Sequence, residues 1–287
     1  MLSLNLTHLD PYILADALMM YSLLGLSLYD ARKRGWPEVW QLLAGVIFGV
    51  MLEWATIQQL HAYQYGRFPI MIGGEAPLAI GAGWGVIIYA ARQYARATSL
   101  PRWARPLLAA LLALNIDLAM DAIAIRLGLW DWGQGLDFQY FGVPWANFWA
   151  WFWVVIFFSA GLEYLAADQR FWRRWLGPAA AVLLGVAGVL LTNYFIVYIA
   201  PRSWYEAAIA LVIGGALALV LALRPKVLFR PLPAPARWTP LVFHGFFLAA
   251  GVISGVIFHP PILLAVSLLM TVIAWRLHRV SPRPWVR

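Results

Sequence analysis

Asp117 and Asp121 lie four residues apart inside an otherwise apolar run, a spacing that puts both carboxyls on one helix face about one turn apart. Glu53 and Glu75 fall in the two preceding apolar runs, and Asn147 falls in the one that follows. An ionisable group held in a membrane span costs about 2.5–3.5 kcal/mol, so each of these acids is a candidate for function. No Lys or Arg is embedded beside them. A carboxyl in a dry, cation-free cavity keeps its proton at neutral pH and can act as a general acid, while a second carboxylate takes up a proton. The alternative for any one of them is a hydrogen bond between helices. Asn115 precedes Asp117 by two positions and so points to another face.

The segment RLGLWDWGQGLDFQYFGVPWANFWAWFW, residues 126–153, carries most of the remaining chemistry. Gly128, Gly133, Gly135 and Gly142 interrupt any helix, and Pro144 suits the first turn of a new one. Trp145, Trp149 and Trp153 then repeat every four residues as one aromatic stripe, with Trp151 between them and Trp130, Trp132 and Tyr140 upstream. Desolvated aromatic faces attract cations, so such a wall suits a carbocation; the alternative, an interfacial aromatic belt, applies best to Trp130 and Trp132. The Asn147 amide can orient a water, cap a carboxyl or join two helices.

Other polar positions carry less. Glu163 lies near Asp168 and the Arg170 to Arg174 cluster and reads as an interface charge pair, Asp16 sits near a span end, and Glu206 suits a first helical turn. Cysteine is absent and the five His are scattered, so no metal site and no cofactor are expected. The Asp117 and Asp121 spacing is similar to the magnesium motifs of prenyl transferases. It has fewer acids and lacks the basic diphosphate contacts. No phosphate-binding loop, zinc-protease motif or serine nucleophile elbow occurs.

The elements that must position these residues follow from composition. Of 287 residues 63% are hydrophobic and 12% charged, with a mean hydropathy of +0.72, which cannot cover a soluble surface. The fold expected is all-α: a polytopic transmembrane helical bundle with about nine spans, eight being the alternative. The spans are placed near residues 11–30, 39–60, 70–91, 106–128, 145–166, 178–199, 204–223, 239–258 and 260–277. With nine spans, eighteen Lys and Arg collect on one side and only Arg67, Arg126 and Arg202 on the other, which predicts an outside N-terminus and a cytoplasmic C-terminus. In that topology Glu53, Glu75, Asp117 and Asp121 share a depth between mid-membrane and the outer surface, where one cavity could hold them all. The N-terminus lacks the pattern of a cleaved signal peptide. Within a single membrane domain, residues 1–223 read as a seven-span bundle holding the site, 224–240 as a Pro-rich cytoplasmic connector, and 241–287 as a two-span hairpin. GVMLEW and SAGLEY are too short to establish a repeat. The net charge of +8 comes without a nucleic-acid-binding motif, so membrane lipids and not nucleic acid are the expected partner. No motif speaks to oligomeric state.

At these residues the chain resembles the membrane carotenoid biosynthesis family that includes the CruF-type carotenoid 1,2-hydratases and bisanhydrobacterioruberin hydratase. The resemblance rests on Gly49, Glu53, Tyr65, Gly66, Pro77 and Trp84, then Asp117, Asp121, Gly128, Trp130 and Trp132, then Tyr140 to Pro144 with Asn147, Phe148 and Trp151. Ala122 and Ala150 stand where the family has Pro and Gly, and the loop from Gln134 to Gln139 is longer and more acidic. The resemblance implies an integral, multi-pass protein of a bacterial or archaeal cytoplasmic membrane acting on a carotenoid. It implies cofactor-free addition of water to the terminal double bond of an acyclic end group such as that of lycopene. Asp121 or Asp117 would be the acid, Glu53 the base and Asn147 the water-orienting group, with acid and base interchangeable. Glu75, Trp130, Trp132, Tyr140, Trp145, Trp149 and Trp151 would surround substrate and water. The rival readings are an end-group cyclase or isomerase, a proton-coupled transporter, and a non-catalytic carotenoid- or lipid-binding protein.

Overall fold

A computed structural model describes residues 2–4 (backbone only), 10–166, 170–228 and 231–279. Asp168, Arg230, Arg283 and Arg287, which enter the reading of charge above, lie outside the described residues. Most of the described chain is helical: α1 (Pro11–Arg34), α2 (Trp36–Leu60), α3 (Leu78–Arg96), α4 (Arg105–Arg126), α5 (Trp145–Leu165), α6 (Phe171–Tyr194), α7 (Tyr205–Ala222), α8 (Ala234–Ser254) and α9 (Ile262–His278). Seven helical segments among the described residues are long and apolar enough to cross a membrane. The two that fall short are α3 and α9, and the reason for α3 is visible in its packing. Every residue from Ala79 to Ala95 is buried, among α1, α2, α4 and α8. A central helix that meets protein on all sides can carry Gly, Gln and Arg where a lipid-facing helix cannot.

Three starts differ from the sequence reading by five residues or more. α6, expected from residue 178, begins at Phe171 and holds Pro178 inside the helix. The third span was expected from residue 70, but residues 70–77 form a β-hairpin. Its strands β3 (Ile70–Ile72) and β4 (Ala76–Pro77) turn through Gly73 and Gly74, both at positive φ, and α3 begins only after Pro77. Strand β1 (Leu2–Leu4) adds to the hairpin. α8 begins at Ala234, within the stretch read as connector, because Pro235 sits in its first turn, where a missing N–H breaks no bond.

α2 and α3 approach through glycine. A Cβ on Gly45 would lie 3.2 Å from Gly85 Cα, and one on Gly49 would lie 2.9 Å from Gly81 O and 2.6 Å from Trp84 Cβ. Facing small-residue pairs four apart let two helix backbones touch, and dispersion over that contact drives helix association in lipid. Glu53 follows Gly49 by four, so the same contact sets Glu53 against α3.

The two ends of the bundle differ. At one end Glu163 is 2.8 Å from Arg96, and Arg92, Arg102 and Arg105 lie within 3.9 Å of it. These partners come from α3, α4 and the turn between them, although Glu163 was read with its sequence neighbours. The segment after α7 is pinned at this end, where Ser99 N donates to Lys226 O at 2.8 Å and Leu228 N to Ala97 O at 2.7 Å. At the other end β2 (Gln64–Tyr65) pairs antiparallel with β5 (Trp130–Asp131), aligning Tyr65 with Trp130.

Candidate active site

Glu53 is buried on α2 and meets three donors: Trp84 Nε1 at 2.6 Å on one oxygen, and the hydroxyls of Tyr63 and Tyr65 at 2.6 and 2.7 Å on the other. Trp84 comes from the glycine-tight α2–α3 contact, and both tyrosines come from the chain that leaves α2 and enters β2. Burial first, and then the neighbouring Glu53, push both phenols well above their ordinary range, so they remain protonated donors.

Asp117 and Asp121 are buried on α4 and face the start of α5. Asn147, in the first turn of α5, directs Nδ2 at both: 2.6 Å to Asp121 Oδ2 and 3.3 Å to each Asp117 oxygen. The start of α5 is fixed by the preceding loop. Gln139 Oε1 caps it by accepting from Trp145 N at 2.6 Å, and Arg126 donates to the carbonyls of Ala122, Phe141 and Leu136. Gln139 and Phe141 adopt positive φ beside Gly142, which lets the end of the loop turn back onto α4.

Glu53, Asp121 and Asn147 line one cavity of about 190 Å³, whose other walls are mostly apolar. Trp84 and Trp151 form one wall with ring centroids 4.3 Å apart, and Tyr63, Tyr65, Trp130 and Trp132 close the end nearest β2. The tyrosines and tryptophans of that cap touch one another, with Tyr63 4.8 Å from Trp132 and Tyr65 5.9 Å from Trp130. The volume is below the roughly 300–1,000 Å³ of pockets that enclose a whole drug-sized ligand. It suits the end of a long molecule.

The sequence pattern of carotenoid biosynthesis proteins matches this chain over residues 13–221, from α1 through nearly all of α7, and so takes in every residue of the cavity except Phe243. The chain belongs to the carotenoid biosynthesis protein family. No curated protein and no solved structure matches it. Membership sets this carotenoid biosynthesis protein in a membrane and in the handling of a carotenoid.

The structure brings only part of the expected constellation together. Asp117 stands behind the cavity, joined to it through Asn147. Glu75 is exposed and bonded to Gln58, away from the lining, because it sits in the β3–β4 turn and not on a helix. The Tyr140 hydroxyl donates to Leu118 O at 2.8 Å and the ring packs on Trp145 and Phe148, so both serve the loop and not the lining. The aromatic stripe also faces elsewhere: Trp149 donates to Thr192 O at 3.3 Å and packs with Ile196 and Ile209, and Trp153 meets Trp149 edge-on and stacks on Phe157. The reason is helical period. Trp151 shares the face of Asn147, four residues before it, while Trp149 is turned by two residues, about 200°. Asn115 does point away, its amide bonded to Met270 O and His244. Asp16, read as near a span end, is fully buried in α1 with neither oxygen bonded among the described residues. Of the partners of Glu53, Tyr63 was missed, and Tyr65 and Trp84 were seen only as family matches. Tyr63-x-Tyr65 directly after a helix bearing Glu53 was the available signal.

Proposed function

We propose that this protein hydrates the terminal double bond of an acyclic carotenoid end group to a tertiary alcohol. The observation that carries the reading is the cavity itself: two carboxyl groups from different helices, Glu53 and Asp121, share a small apolar chamber walled by indole rings. Asp117 and Asp121 share the one amide donor of Asn147, and in this reading the pair carries a single proton to give. Transfer of that proton from Asp121 to C2 of the alkene leaves a tertiary cation at C1, which the faces of Trp84 and Trp151 stabilise. Water forms the new C–O bond and its surplus proton passes to Glu53. Three donors surround Glu53, an arrangement that suits a carboxylate, which only accepts. The proton returns from Glu53 to the aspartate pair before the next turnover, which restores both groups, and the net addition of H at C2 and OH at C1 from water transfers no electrons.

In this reading all nine helices cross the bilayer with the N-terminus outside, and the cavity lies toward the outer face, opposite the arginine-rich end. The second reading is end-group cyclisation or isomerisation through the same cation, favoured by the scarcity of polar groups in the lining.

Pigment chromatography with mass detection in a lycopene-producing host tests the proposal. Wild type is expected to yield pigment heavier by one water, and Asp121→Asn, Asp117→Asn and Glu53→Gln to yield about a hundredth of it or less, the scale of general acid–base catalysis. New pigment of unchanged mass would favour cyclisation. Pigments identical to the empty host would remove both readings.

A further inference from the structure

Building on the hydration reading, we propose that Asn193 is the positioning residue for the attacking water. The requirement is a hydrogen-bond donor that faces the cavity and is not already engaged. Asn147 does not meet it, because its amide nitrogen is taken up by Asp117 and Asp121. Asn193 does. It lines the cavity from the last turn of α6, it is only 2% exposed, and its Nδ2 has no partner among the described residues. A buried amide N–H without an acceptor is costly, and an oxygen in the cavity removes that cost. The indole N–H of Trp132, which also lines the cavity, is likewise unpartnered. Both are donors, so what they recognise is an acceptor oxygen: the water that attacks and the hydroxyl it becomes.

The backbone around Asn193 is held for this purpose. Gln59 Nε2 donates to Leu190 O at 2.8 Å from α2, and Trp149 Nε1 donates to Thr192 O at 3.3 Å from α5, so two neighbouring helices hold the turn of α6 that leads into the residue. α6 then passes into a π-helical turn, Phe195–Ile199, a widening often found at functional sites. That turn brings Ile196 and Val197 into the lining beside Asn193. Water held by Asn193 keeps a lone pair for C1 and its hydrogens for Glu53. Without it, the cation returns its proton from C2 and the alkene re-forms.

The partition of that cation is measurable. Washed membranes containing the full chain are incubated in D2O with lycopene, and the hydrated product is compared with deuterium gained at C2 of recovered lycopene. In Asn193→Leu, close in size but without a donor, the ratio of hydration to exchange is expected to fall at least tenfold while exchange continues. Asn193→Ser, which restores a shorter donor, is expected to recover part of it. An unchanged ratio in Asn193→Leu would overturn the proposal, as would loss of both signals in both variants, which would make Asn193 a residue of the fold or of proton transfer. Wild type that adds no water fails the hydration reading itself, before any variant is compared.

Discussion

Asn147 and Asp121 meet at 2.6 Å across the α4–α5 contact, and the same amide nitrogen reaches Asp117 at 3.3 Å. One side chain from the first turn of α5 therefore sets the orientation of two carboxyls on α4. Among the described residues, Asn147→Leu removes the only donor given to the pair by a side chain outside it. Leaving buried polar groups unsatisfied costs about 1–3 kcal/mol each, so conversion in the lycopene host is expected to fall about tenfold or more at unchanged protein level. Conversion equal to wild type would show that the aspartates need no such orientation.

The two indoles Trp149 and Trp151 separate the wall of the cavity from the aromatic stripe beside it. Trp151 packs on Trp84 in the lining, whereas Trp149 is bonded to α6. Trp151→Leu is expected to lower conversion per molecule of folded protein by tenfold or more, since it removes one of the two indole faces that stabilise the cation in the proposed hydration. Trp149→Leu is expected to lower the unfolding temperature in detergent with a smaller change in conversion per folded molecule. The reverse ranking would move the cation site to the stripe.

Gly49 has no room for a methyl group. Gly49→Ala places a carbon 2.6 Å from Trp84 Cβ and 2.9 Å from Gly81 O, so α2 and α3 must separate. Overpacking of this kind costs about 1–3 kcal/mol, and here it also draws Trp84 off Glu53. Lower thermal stability together with lower conversion is expected. Gly25→Ala, whose added carbon meets nothing within 4 Å, serves as the control and is expected to leave both unchanged.

Glu163 balances the arginines at the far end of the bundle. Glu163→Gln leaves the buried Arg92 without the carboxylate 3.8 Å away and breaks the 2.8 Å contact to Arg96. Removing one partner of a buried ion pair costs about 3–5 kcal/mol, and the partial exposure of Arg102 and Arg105 puts this case toward the lower end. The unfolding temperature in detergent is expected to drop by several degrees. Pigment formed per molecule of folded protein is expected to hold, because Glu163 is remote from the cavity.

Hydropathy made the helices legible, since lipid contact writes itself into long apolar runs. It misplaced the start of α3 because Ile70, Met71 and Ile72 are as apolar as a span and only the pair Gly73–Gly74 and Pro77 betray the hairpin. Asp117, Asp121 and Glu53 stood out because each is an acid in an apolar run. Their partners did not: Tyr63 and Trp84 reach Glu53 only through the turn after α2 and the glycine contact with α3, and Asn193 reaches the cavity only because α6 packs on α2 and α5. Spacing identifies which residues share a helix face but not which neighbour that face meets, and so it could not show that the stripe of Trp145, Trp149 and Trp153 packs outside the cavity lining.

Tyr63 and Tyr65 belong at once to the roof over the chamber and to the hydrogen-bond shell of Glu53. Lifting that roof strips the carboxylate of two of its three ligands. Enclosure of the chamber and hydrogen bonding of Glu53 are therefore set by the same two side chains, and a change that opens the chamber to water from above also alters what surrounds that carboxyl.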